Sequence, residues 1–193
     1  MNTEKELTGY PSIDKPWLKY YSDEAINAPL PEGSMYEYLY ERNKNNLSDI
    51  ALNYFGKKTT YKDLFDNIDI IATALQAYGV KKGDKVGVCV LTSPEAVYLL
   101  YAINKVGAIN VLLGFTSPVS DLKDQIKSTE CKIIFSVEMA YPKIVDAIKD
   151  AEIDRIITVP LEYSMPCLMR FGASIKIKHP ALNSRSIKWT SFL

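Results

Sequence analysis

The sequence has little of the residue chemistry from which metal and nucleophilic sites are built. His179 is the only histidine, which excludes a metal site of two histidines, and its neighbours Lys178 and Pro180 do not suit a general base. The three cysteines form no CxxC pair and no metal-ligand spacing, and their number is odd. We therefore expect reduced cysteines in a cytoplasmic protein.

Two nucleotide-binding signatures are also missing. The sequence contains neither the phosphate loop GxxxxGK[ST] nor the dinucleotide fingerprint GxGxxG. Ser93 and Ser117 each precede a proline at a predicted helix start, where capping explains the hydroxyl, and no GxSxG turn surrounds either of them. The residues alone therefore predict no catalytic group.

Charge of one sign is not in excess, because 23 Lys and Arg residues balance 23 Asp and Glu residues. The positive field that draws a protein to nucleic acid is absent, so we expect no nucleic-acid partner.

Targeting and membrane segments are not expected either. The first 30 residues contain no long hydrophobic stretch, so the sequence does not predict a secretory signal peptide. Residues 96–115 have the length of a membrane span, but Lys105 in their middle and the helix-ending Gly107 favour a buried helix and strand, so no span is expected.

Hydrophobic periodicity predicts an α/β fold. From residue 61 to 78 apolar residues recur three and four apart, the pattern of an amphipathic helix, which Gly79 then ends. Strands are predicted at 86–91, 109–113, 132–137 and 155–159, and helices at 92–106, 117–128 and 141–149. This βαβ repetition indicates a mainly parallel sheet with helices on both faces.

Three regions follow from the same patterns. Residues 1–33, with four prolines and several aromatic residues, are predicted to form an extended N-terminal arm. Residues 34–160 form the α/β subdomain, which begins with a short helix and a small β-hairpin. Residues 161–193 are predicted to be a truncated linker or the start of a next subdomain. Their basic character is typical of a solvated linker, with phosphate binding as the alternative.

Several short motifs resemble, in the same order, those of the adenylate-forming superfamily, which includes acyl-CoA synthetases, luciferase and the adenylation domains of peptide synthetases. The motifs are Thr60-Tyr61-Lys62-Asp63-Leu64, Gly79-Val80-Lys81-Lys82-Gly83-Asp84-Lys85-Val86, Ser93-Pro94-Glu95 and Lys105-Val106-Gly107-Ala108-Ile109-Asn110-Val111. Residues 15–21 are similar to the lead-in of bacterial acyl-CoA synthetase-like members. Each motif is short, but the ordered set is specific.

The resemblance implies a two-step, AMP-forming carboxylate ligase that uses ATP, Mg and coenzyme A. The family's Gly-rich phosphate loop, its adenine and ribose motifs and its carboxy-terminal lid are not found in this sequence. We therefore expect an N-terminal portion of such an enzyme, inactive alone and binding none of these cofactors tightly. The carboxylate it would use stays open.

Within the matched span, the resemblance favours two places for cofactor contacts. One is the loop Gly114, Phe115 and Thr116 after a strand, and the other is Lys143, near a phosphate of coenzyme A. The alternatives are a plain strand-to-helix connection and an exposed helix lysine. Two other functions also stay open, namely a non-catalytic α/β ligand-binding module and a truncated interaction protein that pairs with another chain. We also expect self-association of the chain through its truncated face.

Overall fold

The computed structural model describes residues 7–176 and 179–193, and the chain divides after Glu32 into two units. The first unit contains the helices α1 (Pro11–Asp14) and α2 (Asp23–Asn27), with a 3-10 helix (Pro16–Tyr20) between them. The sequence predicted an extended arm here. Helical turns form instead where Pro11 and Pro16 occupy first helical positions, because the fixed φ of proline suits the first turn of a helix.

The second unit is built on a parallel sheet of five strands, in the order β4-β3-β5-β6-β7. Its strands are β1 (Ile50–Tyr54), β2 (Lys57–Thr60), β3 (Lys85–Cys89), β4 (Ile109–Leu112), β5 (Ile133–Val137), β6 (Arg155–Val159) and β7 (Ser186–Lys188). Its helices are α3 (Met35–Asn43), α4 (Tyr61–Ala77), α5 (Pro94–Val106), α6 (Val119–Thr129), α7 (Tyr141–Ala147), α8 (Cys167–Lys176) and α9 (Trp189–Phe192). β1 and β2 pair as a separate antiparallel hairpin. The predicted fold class is confirmed.

Alternating residues of the strands build an apolar layer on each face of the sheet. Val86 and Val88 of β3 belong to one layer with residues of α3, α4, α5 and α9. Cys89 belongs to the other layer, with residues of α6 and α7. Because successive side chains of a strand point to opposite faces, both layers need apolar residues, which explains the continuous apolar runs in the sequence.

The strand order places a topological switch at the centre of the sheet. The connection from β3 leads through α5 to β4 on one side, whereas the connection from β5 leads through α7 to β6 on the other. The two helices cover opposite faces. In open α/β sheets, ligands bind beyond the carboxyl ends of the two strands at which the connections diverge. The fold therefore directs attention to the carboxyl ends of β3 and β5.

Residues 186–193 belong to the sheet and its core. β7 pairs in parallel with β6, and α9 buries Trp189 and Phe192 against the sheet. The sequence predicted a truncated linker or the start of a next subdomain here, and it showed neither element, because a three-residue strand and a four-residue helix are too short to show hydrophobic periodicity. Among the described residues, no helix is long and apolar enough to cross a membrane. Residues 96–115 form most of α5 and then β4.

Replacing Gly107 by Ala is expected to destabilise the protein by about 1–2 kcal/mol, since φ at Gly107 is +80° and left-handed backbone penalises a side chain. A Cβ there would also lie 3.0 Å from Cγ of Lys82. Gly172→Ala is the matched control, because Gly172 lies within α8 and its added Cβ would meet no described atom within 4 Å. The control is expected to gain about 0.5–1 kcal/mol. Urea unfolding followed by circular dichroism measures both changes, and equal effects would contradict the argument.

Candidate functional site

The two predicted contact places lie together at the carboxyl edge of the sheet. Gly114, Phe115 and Thr116 follow β4, and Lys143 lies in the first turn of α7, after β5. Lys143 Nζ donates a hydrogen bond to the carbonyl oxygen of Phe115 at 3.4 Å. The ammonium group of Lys143 therefore bridges the connections that follow β4 and β5, across the end of β3. This is the switch point that the strand order defines.

The loop after β4 turns so tightly that its first residue has no room for a side chain. A Cβ on Gly114 would lie 2.5 Å from Oγ of Ser117, and the Ser117 amide donates to the Gly114 carbonyl at 3.0 Å. Phe115 then packs part of its ring against the apolar layer of α6 and α7, while Thr116 is exposed. The loop thus exposes backbone groups and the Thr116 hydroxyl to solvent, while the partly buried Phe115 ring holds the loop against the core.

Cys89 ends β3 directly beneath this point and is fully buried. Burial raises the pKa of its thiol to about 11, and the positive charge of Lys143 opposes that shift. A thiol with such a pKa is protonated at neutral pH and is a poor nucleophile. The chemistry that this place offers is consequently the charge of Lys143, which suits an anionic group such as a phosphate.

A second cleft, of about 270 Å³, lies at the same edge beyond β5, β6 and β7. Sequence reasoning missed the two residues that distinguish it, Glu162 and Trp189. Oε2 of Glu162 and Nε1 of Trp189 are both buried and have no hydrogen-bond partner among the described residues. A buried donor and a buried acceptor without partners destabilise the folded state, and an ordered water that bonded to them would remove that loss.

The rim of this cleft carries an ion pair. Nδ1 of His179 lies 2.6 Å from Oε2 of Glu138, the residue that directly follows β5. Hydrogen bonding to Glu138 raises the pKa of His179, so the imidazole holds its proton to a higher pH than a free histidine does. The sole histidine thus has an electrostatic partner in Glu138. In residues 7–176 and 179–193, no three His, Cys, Asp or Glu side chains could hold a metal ion together.

A buried carboxylate links the start of α5 to the loop that follows β6. Glu95 is 1% exposed, and Oγ of Ser164 donates a hydrogen bond to its Oε1, while Oε2 has no partner in the part of the chain that the structure describes. Its place in the first turn of α5 is favourable, because the positive end of the helix dipole lies there. The sequence identified Glu95 as a helix-start residue but gave no signal for Ser164. The Ser-Pro-Glu motif therefore fixes two of the loops that form the carboxyl edge.

Another cleft, of about 340 Å³, lies at the opposite edge, where β3 and β5 begin. Three lysines and three acidic residues line it, so it has no excess charge. The amino ends of parallel strands are not where open α/β sheets bind ligands. We therefore place the candidate site at the carboxyl edge.

Known proteins with similar sequences include coenzyme A ligases. A sequence model described as "AMP-binding enzyme" matches residues 39–173. The long-chain-fatty-acid–CoA ligase of Bacillus subtilis (strain 168) is 26% identical over 153 residues, which cover 79% of this chain and 27% of that enzyme. An acetyl-coenzyme A synthetase of Pseudoalteromonas translucida (strain TAC 125) is 30% identical over 126 residues, which cover 62% and 18% respectively.

Solved structures share the fold. The crystal structure of coronafacic acid ligase from Pectobacterium brasiliense superposes with a TM-score of 0.68 at 16% identity, over 83% of this chain and 29% of that one. The chain thus spans less than a third of the length of each of these three relatives. Because the family model covers more than half of the sequence, the chain belongs to the AMP-binding enzyme family.

Proposed function

We propose that this chain is the N-terminal portion of an ATP-dependent acid–thiol ligase. In the first step, a carboxylate oxygen of the substrate attacks the α-phosphorus of ATP, and pyrophosphate leaves to give an acyl-AMP. In the second step, the sulfur of a thiol such as coenzyme A attacks the acyl carbon, and AMP leaves. Family membership and the coenzyme A ligases among the relatives support this reaction.

The observation that carries the proposal is the contact between Lys143 and Phe115 at the switch point. Coenzyme A supplies the acceptor thiol when it is bound, and its phosphates suit the ammonium group of Lys143. The loop of Gly114, Phe115 and Thr116 adds backbone groups and a hydroxyl beside that charge. These residues would hold and orient coenzyme A, which is a positioning role.

ATP and Mg would be held mainly by residues outside this sequence, because the sequence has no Gly-rich phosphate loop. We therefore expect the chain alone to bind ATP-Mg weakly and to catalyse no exchange of pyrophosphate into ATP. Calorimetry with ATP-Mg, beside carboxylate-dependent pyrophosphate exchange, tests this. Exchange by the chain alone would show that the reacting centre lies within it.

Lys143→Ala is expected to weaken the binding of coenzyme A to this chain about tenfold or more, since a charge-assisted hydrogen bond contributes about 1.5–3 kcal/mol. Saturation-transfer NMR with free coenzyme A detects weak binding, and pantetheine, which has no phosphate, serves as the comparison ligand. Lys149→Ala is the control variant, because Lys149 is an exposed lysine that pairs with Asp146 at 2.9 Å. Equal effects of the two substitutions, or equal binding of pantetheine, would contradict the role of Lys143.

One observation favours a second candidate, a non-catalytic ligand-binding module. Glu162 and Trp189 line one cleft, and Oε2 of Glu162 and Nε1 of Trp189 are buried without a partner among the described residues. A small local opening would let a ligand with both a donor and an acceptor bond to these two atoms. Tight binding of ATP or an acyl-AMP without pyrophosphate exchange would favour this module over the ligase.

A further inference from the structure

Helix α8 exposes large apolar side chains to solvent. Leu168 is 85% exposed, Phe171 is 69% exposed and Met169 is 43% exposed. α8 spans ten residues, from Cys167 to Lys176. Leu168 and Phe171 are three residues apart and consequently lie on the same side of the helix. Adjacent exposed apolar residues of this size mark an interaction surface.

The charge of the chain is divided at the same place. All 23 acidic residues lie at or before Glu162, whereas five of the 23 basic residues follow it. Residues 1–162 therefore carry a formal net charge of −5, with 18 basic residues against 23 acidic ones, and residues 163–193 carry +5. The formal net charge of the whole chain is zero, but residues 163–193, which include α8, are strongly basic.

Two of these basic residues lie close to one another in the structure. Arg170 of α8 and Lys188 at the end of β7 line the same cleft of about 270 Å³. Both side chains are exposed. Glu138 and Glu162 line the same cleft, but the Glu138 side chain is only 13% exposed and Glu162 is 7% exposed. The exposed charge beside the apolar residues of α8 is therefore positive. We call Leu168, Met169, Arg170 and Phe171 the α8 surface.

We propose that the α8 surface docks on an anionic lipid bilayer. A helix with exposed apolar residues and flanking basic ones lies in the plane of the membrane interface, with its apolar side among the acyl chains. Anionic headgroups attract each nearby Lys or Arg. The acidic remainder of the chain would be repelled from the same lipids, so the charge division also orients the protein on the bilayer.

The same observations disfavour other occupants of the α8 surface. A symmetric contact with a second copy would bring two segments of charge +5 together, and like charges repel. A nucleic acid would satisfy the charge but would leave Leu168 and Phe171 in water. The inference does not depend on the proposed ligase activity, because it concerns only exposed residues of α8.

Co-sedimentation with vesicles tests the proposal. The chain is expected to sediment with vesicles of phosphatidylcholine and phosphatidylglycerol, and much less with vesicles of phosphatidylcholine alone. The double variant Leu168→Gln, Phe171→Gln is expected to lower partitioning at least about tenfold, because it removes the apolar area that enters the bilayer. Arg170→Gln is expected to lower it about fivefold at low salt, and added salt should remove that difference.

Leu112→Gln is the matched control, since Leu112 is 74% exposed on the edge strand β4, away from α8 in the sequence. It should leave partitioning unchanged, and circular dichroism should show the same fold for every variant. Equal binding to neutral vesicles, or equal losses in the α8 and Leu112 variants, would overturn the proposal. Sedimentation velocity without lipid provides a further check. A dimer that the α8 double variant abolishes, together with no vesicle binding, would assign the surface to a second copy.

Discussion

Trp189→Ala is expected to lower the free energy of unfolding by about 3–5 kcal/mol, the usual cost of removing a buried tryptophan. Trp189 is 1% exposed, and its ring packs edge-on against Phe135 of β5 at a centroid distance of 6.1 Å. It also contacts the rings of Phe192 and Tyr163, at 5.9 Å and 6.4 Å. The substitution would open a cavity between the sheet and α9. Urea unfolding followed by far-UV circular dichroism measures the loss.

The other tryptophan of the chain provides a control for this substitution. Trp17 is 44% exposed, so Trp17→Ala removes the same side chain from a position with far less burial. It is expected to cost under about 1 kcal/mol, because surface substitutions away from special features have small effects. A small effect of Trp189→Ala would show that residues 186–193 do not belong to the core in solution.

Ser164→Ala is expected to destabilise the protein by about 1–3 kcal/mol, because it removes the hydrogen bond that the buried carboxylate of Glu95 accepts. Ser164 is the donor to Oε1 of Glu95, and Oε2 of that carboxylate already has no partner within residues 7–176 and 179–193. The loss arises because the buried carboxyl group of Glu95 would then have no hydrogen-bond donor to replace the water it gave up on folding. Chemical denaturation measures it, with Ser120→Ala as an exposed serine control.

A double-mutant cycle separates this cause from simple loss of packing. Glu95→Met replaces the carboxylate by an apolar group of similar volume, and removing both partners of a buried polar pair is close to neutral. The double variant Glu95→Met, Ser164→Ala should consequently be more stable than Ser164→Ala alone. Additive losses would mean that the hydrogen bond does not couple the two residues.

The sequence alone predicted the α/β class because hydrophobic periodicity is a local property. Helix α4 has an apolar stripe and a capping pair, Thr60 and Asp63, and its predicted and observed bounds differ by one residue at the end. β3 and β5 were predicted as strands of a parallel sheet with helices on both faces, which the structure confirms. The ordered motifs predicted the AMP-binding family, because they lie within these well-patterned elements.

Other features of the candidate site depend on residues that are distant in the chain. Glu95 and Ser164 are 69 residues apart, and Lys143 and Phe115 are 28 residues apart. No local pattern marks Ser164 or Glu162 as buried, because a polar residue in a loop is usually exposed. The pairing of the Lys143 ammonium with the Phe115 carbonyl was not predictable either, although both residues were candidates.

The amino-acid sequence by itself determined the order and type of the long elements, the charge division and the family, since each depends on neighbours in the chain. Only the tertiary structure decided that β7 and α9 belong to the sheet and its core, where Trp189 is buried. Only it decided that the loops after β3 and β6 are joined by Glu95 and Ser164. The physical reason is that the carboxyl ends of parallel strands lie at the same edge of the sheet, so loops that are distant in the sequence meet there. Short elements such as β7 and α9 are stable only because they pack against the rest of the fold.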